Sequence, residues 1–90
     1  MRKTVVIIGT LDTKGQEIKY IKEQMQKKGM DVVVIDSSMR GGAACFEPDI
    51  SREIVAEAAG SSIESVEKQD RGKAEEVMMR GLARTVKELY

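Results

Sequence analysis

Two short runs in which every residue is β-branched, Val5-Val6-Ile7-Ile8 and Val32-Val33-Val34-Ile35, constrain this chain more than any other feature. A strand that is apolar at every position, rather than at alternate ones, is one covered on both faces, as in parallel sheets. Between the runs, the segment from Thr13 to Lys28 places Ile18, Ile21 and Met25 at helical spacing, with Glu17, Lys19, Lys22, Glu23, Gln26 and Lys27 on the other side. Gly29 is placed to end that helix as a C-terminal cap. Strand, helix and strand within about thirty residues is the spacing of a right-handed βαβ crossover, whose strands run parallel. The expected fold class is therefore α/β, a partial Rossmann-like parallel sheet. Both strands then end on one side of the sheet, and open α/β sheets bind ligands outside those carboxyl ends.

The first strand delivers the loop Gly9-Thr10-Leu11-Asp12-Thr13-Lys14-Gly15 to a helix start. Helix N-termini carry unpartnered N–H groups and a partial positive charge, and they accommodate phosphates or carboxylates. Thr13 followed three residues later by Gln16 matches the capping-box pattern, which puts the helix start there. The loop matches neither G-x-x-x-x-G-K-[ST] nor G-x-G-x-x-G. An ordinary strand-to-helix turn, with Asp12 and Thr13 capping and Lys14 solvated, has the same composition. Asp36 ends the second apolar run, where dinucleotide folds place the carboxylate that binds a ribose hydroxyl. A turn-initiating aspartate before Ser37 is the alternative reading.

The rest of the chain is a long loop and three helices. Ser37 to Asp49 is rich in small residues and long for a compact domain. Its Arg40, Gly41 and Gly42 could offer a cation and N–H donors to a phosphate, or simply form a hinge. Ser51 is a plausible N-cap for a short helix through Ile54, Val55, Ala58 and Ala59, ended by Gly60. Ser61 with Glu64 marks another capping box before Ile63 and Val66. From Asp70 to Tyr90, Ala74, Val77, Met78, Gly81, Leu82, Thr85, Val86 and Leu89 recur at steps of three and four, the pattern of a long helix. Met78 and Met79 read as core filler and its neighbour rather than as a binding face.

Composition removes several classes of function. Fifteen basic and fifteen acidic residues balance, which argues against a nucleic-acid footprint. With no histidine and a single cysteine, Cys45, the chain lacks the usual zinc sets, a disulfide framework and an activated thiol. A cytoplasmic setting is the default expectation. The apolar run behind Met1-Arg2-Lys3 is too short for a signal peptide or a membrane span. No general base or nucleophile stands out.

Burial sets a further expectation. Consecutive crossovers place their helices on one face, and two parallel strands are too few to be stable alone. Residues 1–90 are thus expected to be an incomplete domain, the amino-terminal piece of a larger one. Its sheet would be finished by the remainder of the parent protein or by a second copy in a homo-oligomer.

The string Ile8-Gly9-Thr10-Leu11-Asp12-Thr13-Lys14-Gly15, together with Phe46-Glu47-Pro48-Asp49-Ile50-Ser51-Arg52 and Asp70-Arg71-Gly72, resembles the amino-terminal part of an uncharacterised bacterial and plant family. That family is similar to the ATP-binding domain of the tomato mosaic virus resistance protein. The resemblance implies a module that binds ATP, and it favours Gly9, Thr10, Asp12, Thr13 and Lys14 as phosphate contacts with Asp36 beside the nucleotide. Asp12 would hold a magnesium ion or its water, and Arg52 is a weaker candidate. Half of the cleft would lie elsewhere, so the chain alone is expected to bind nucleotide weakly or not at all. A small self-associating or partner-binding domain without nucleotide is the alternative.

Overall fold

The computed structural model describes residues 3–39 and 46–89. Strand β1 (Thr4–Gly9), helix α1 (Leu11–Lys27) and strand β2 (Asp31–Asp36) come first, followed by helices α2 (Arg52–Ala58), α3 (Ile63–Lys68) and α4 (Arg71–Leu89). The two strands pair in parallel, with Thr4 opposite Asp31 at one end and Gly9 opposite Asp36 at the other. The fold is α/β, and its strand-helix-strand unit fits a partial Rossmann-like arrangement. What was expected of Arg40, Gly41, Gly42, Cys45 and the helix end at Tyr90 lies outside the described residues.

Helices cover both faces of the sheet, not one. Val34 packs with Leu11 and Ile18 of α1, joined by Ile7, Val32 and Phe46. The alternate residue Ile35 packs on the other side with Val55, Ala56, Val66, Ala74 and Met78 from α2, α3 and α4. The one-face expectation fails because only one crossover is present among the described residues. After β2 the chain carries three helices across to the opposite face instead of returning through another full strand.

Burial consequently separates the two apolar runs. Val34 and Ile35 are both fully buried, so β2 has the two-sided cover its sequence demands, whereas Ile8 of β1 is 46 % exposed. The second edge of β2 is also occupied. Ile50 makes a parallel bridge to Ile35, with its carbonyl accepting the Asp36 N–H at 3.0 Å and its own N–H donating to Val34 at 3.1 Å. Asp49 Oδ2 accepts the Val34 N–H at 2.7 Å. β2 is thus the middle of the sheet, and β1 is an edge with an apolar sequence.

Helix starts show local chemistry that spacing alone misplaces. α1 begins at Leu11, ahead of the expected start at Thr13, and Lys14 is kinked at φ −118°, ψ 18°. Thr13 makes no capping box, because its Oγ1 is bonded to Thr10 Oγ1 at 2.8 Å. α3 is capped by Ser62, which accepts the Ser65 N–H at 3.2 Å, rather than by Ser61. Ser51 caps α2 as expected, accepting the Ile54 N–H at 3.4 Å. Gly29 and Gly60 end their helices at φ 83° and 79°, the left-handed region that favours glycine. Among the described residues, no helix is long and apolar enough to cross a membrane.

Candidate functional site

In-register pairing places Gly9 and Asp36 side by side at the carboxyl ends of the strands. Asp36 is buried at 6 % exposure. Its Oδ1 accepts the backbone N–H of Leu11 at 3.3 Å and of Ser38 at 3.0 Å, and it also lies against Ser38 Oγ. The Ser38 hydroxyl reaches further, to Asp12 Oδ1 at 3.0 Å, and stands 3.4 Å from the Asp12 N–H. The Thr10 carbonyl accepts from the amides of Thr13 at 3.2 Å and Lys14 at 2.8 Å.

These bonds correct the expectation of an open, anion-ready helix start. Every amide from Leu11 to Lys14 already has a partner within the chain. The seat that the dipole of α1 offers to an anion is taken by the carboxylate of Asp36.

The open space lies beside that seat. A cleft of about 380 Å³ is lined by Thr10, Asp12, Thr13, Met39, Arg71 and Ala74. The loop after β1 supplies its hydroxyls and its carboxylate. The first turns of α4 supply Arg71, whose side chain is 82 % exposed and whose Nε lies 3.2 Å from Glu75 Oε1. Of the residues singled out in the sequence, the cleft brings together Thr10, Asp12 and Thr13.

The others are placed differently. Gly9 lies against α1, where a Cβ would run into Ile18 Cδ1, so the missing side chain already serves helix packing. Lys14 is exposed and outside the cleft lining. Asp36 sits beneath the floor, occupied with Leu11 and Ser38. Arg52 pairs with Glu67, linking α2 to α3.

Ser38, Met39, Arg71 and Ala74 are the residues that sequence reasoning missed. For Ser38 a signal existed: an aspartate often accepts the N–H two residues on, which makes Asp36-Ser37-Ser38 a local motif. Arg71 lay within one of the strings that carried the family resemblance. Nothing in the sequence placed it in one cleft with Thr10.

A family model for the amino-terminal domain of the uncharacterised protein family UPF0261 matches residues 3–90. The chain belongs to the UPF0261 family. A UPF0261 protein of Clostridium tetani is 49 % identical over 90 residues, which is 99 % of this chain and 22 % of that protein. UPF0261 proteins of Brucella suis and Brucella melitensis are each 36 % identical over 62 residues, covering 69 % of this chain and 15 % of theirs. The chain thus spans at most 22 % of the length of these curated UPF0261 relatives. No solved structure matches.

The groups lining this UPF0261 cleft are ones that can bind a polar ligand. Two hydroxyls 2.8 Å apart can donate to or accept from an oxygen-rich ligand. One guanidinium suits a phosphate or carboxylate. Among the described residues, no three His, Cys, Asp or Glu side chains gather where they could hold a metal by themselves.

Proposed function

We propose that this UPF0261 domain is a nucleotide-binding module, most suited to ATP, in which Thr10, Thr13 and Arg71 meet the phosphates and Asp12 meets their magnesium ion. The observation that carries the reading is the cleft itself. It opens at the carboxyl end of a parallel strand pair, where α/β folds bind ligands, and its lining combines Thr10 and Thr13 with Arg71. The resemblance to the ATP-binding domain of the tomato mosaic virus resistance protein supplies the choice of ATP. Lys14, exposed on the adjoining kink, adds charge at the rim. Gly9 and Asp36 hold the floor on which the phosphates rest.

A bare polyphosphate would meet the carboxylate of Asp12, so the ligand is best read as the magnesium complex. The residues fit that ion. Magnesium keeps several waters and takes one or two carboxylates together with phosphate oxygens, not an all-protein cage. Asp12 is the carboxylate among the residues lining the cleft. Isothermal titration with ATP and magnesium tests the reading, and heat that is unchanged by Thr10→Ala and Lys14→Ala would sink it.

The exposed edge of β1 favours a second reading, an assembly module whose sheet is completed by the rest of a parent protein or by a second copy. A parallel strand that is apolar at every position belongs inside a sheet, yet Ile8 is nearly half exposed. Light scattering on the purified chain decides it, and a monodisperse monomer at high concentration counts against self-assembly.

A further inference from the structure

The polar cleft has a neighbouring cavity of different chemistry. A groove of about 210 Å³ is lined by Thr10, Ser37, Met39, Glu75, Met78, Met79 and Leu82, so Thr10 and Met39 belong to both spaces. One helix runs under the pair. Arg71 and Ala74 of α4 face the cleft, while Glu75, Met78, Met79 and Leu82 face the groove. These positions fall at steps of one, three and four along the helix, and Arg71 to Leu82 spans about 16 Å at the α-helical rise of about 1.5 Å per residue. The result is a pair of neighbouring spaces, the one charged and the other apolar.

We infer that the Met39–Met78–Met79–Leu82 groove seats the aromatic base of the nucleotide whose phosphates occupy the Thr10–Arg71 cleft. The inference rests on the nucleotide reading above and adds a base subsite to it. Three observations favour a flat aromatic ring as the occupant. The walls are thioethers and an isobutyl group, and methionine sulfur makes favourable contacts with aromatic rings. Met79 is 69 % exposed, so its thioether is accessible to a ligand in the groove. The groove is small, and it shares Thr10 and Met39 with a polar cleft suited to phosphates, as the two ends of a nucleotide require.

The rim supplies a preference among bases. Glu75 is an acceptor without a donor when ionised, held by Arg71 through Oε1 at 3.2 Å. It suits a base that offers an exocyclic amino group, such as adenine, over one that offers a carbonyl there. Arg71 and Glu75 thus join the two halves of the site: one faces the phosphates and its ion-pair partner faces the base.

Labelling the methionine methyl groups with carbon-13 and titrating the chain to millimolar concentrations tests this by NMR. Adenosine should shift the methyl signals of Met39, Met78 and Met79, and uridine should shift them less. Met79→Ser should weaken adenosine about fivefold, on the order of one well-placed sulfur–aromatic contact. Tripolyphosphate added with magnesium should move the amides of Thr10 to Thr13 without needing the methionines. If ATP moves those amides while adenosine leaves the methyl groups unmoved, the base subsite is overturned and the phosphate reading survives. If adenosine moves the methyl groups while tripolyphosphate leaves the amides unmoved, the groove stands and the phosphate reading falls. No response to any of the three overturns both.

Discussion

The Asp36 carboxylate accepts the backbone N–H of Leu11 at 3.3 Å, so the last residue of β2 caps the first turn of α1 across 25 positions of sequence. The same oxygen accepts the N–H of Ser38 at 3.0 Å. Asp36→Ala would leave two buried amides without this partner, and unsatisfied buried groups cost about 1–3 kcal/mol. We expect a loss of stability within that range by urea denaturation. Asp36→Asn keeps an acceptor oxygen and should cost less than the alanine variant.

Two glycines should respond differently to the same added methyl group. At Gly9 a Cβ meets the far end of the Ile18 side chain, which can rotate away. At Gly81 it meets the Val55 carbonyl oxygen, where α2 and α4 touch backbone to backbone. Overpacking costs roughly 1–3 kcal/mol and occasionally more, so Gly9→Ala belongs at the lower end of that range and Gly81→Ala at or above the upper end. Thermal melts of both variants measure the difference. Ile18→Val should rescue Gly9→Ala, and no single side-chain trimming should rescue Gly81→Ala.

Arg71 should matter more than Lys14 for binding magnesium ATP. Arg71 lines the cleft together with Thr10, whereas Lys14 stands outside the lining. Removing one charge-assisted contact costs about 1.5–3 kcal/mol, so Arg71→Ala should weaken binding about tenfold or more in isothermal titration. Lys14→Ala should weaken it by a smaller factor that shrinks further as salt is raised, as expected of a screened charge.

A lysine should be tolerated on β1 and not on β2. Ile8→Lys, at a position 46 % exposed, should cost under about 1 kcal/mol, whereas Ile35→Lys places an unpaired charge in the core and should prevent folding. Ile8→Lys should also reduce any self-association seen by light scattering, because edge lysines oppose strand pairing between chains. Unaltered association after this change would exclude the β1 edge as the contact.

The strand pair, the four helices and their order were legible because they rest on period and punctuation. The runs Val5–Ile8 and Val32–Ile35, the spacing of Ile18 and Met25, and Gly29 and Gly60 each carry their signal within a few residues. The distribution of helices over the two faces was not legible, since it depends on where the chain goes after Asp36. The loop after β1 was legible as a site only in part. Thr10, Asp12 and Thr13 do come together, but their partners arrive from 25 to 60 positions away, and no local pattern encodes an approach such as that of Arg71. The capping boxes at Thr13 and Ser61 misled in different ways: the Thr13 hydroxyl finds Thr10, and at α3 the cap is made one residue later by Ser62.

A hydroxyl carries one proton, and Ser38 Oγ lies within reach of Oδ1 on both Asp12 and Asp36. At any instant it can donate to one of them, and the other must go without. A cation resting on Asp12 would leave that proton wholly to Asp36, the residue that clasps Leu11 to the end of β2. The filling of the cleft would then be felt one layer down, as a firmer joint between α1 and the sheet.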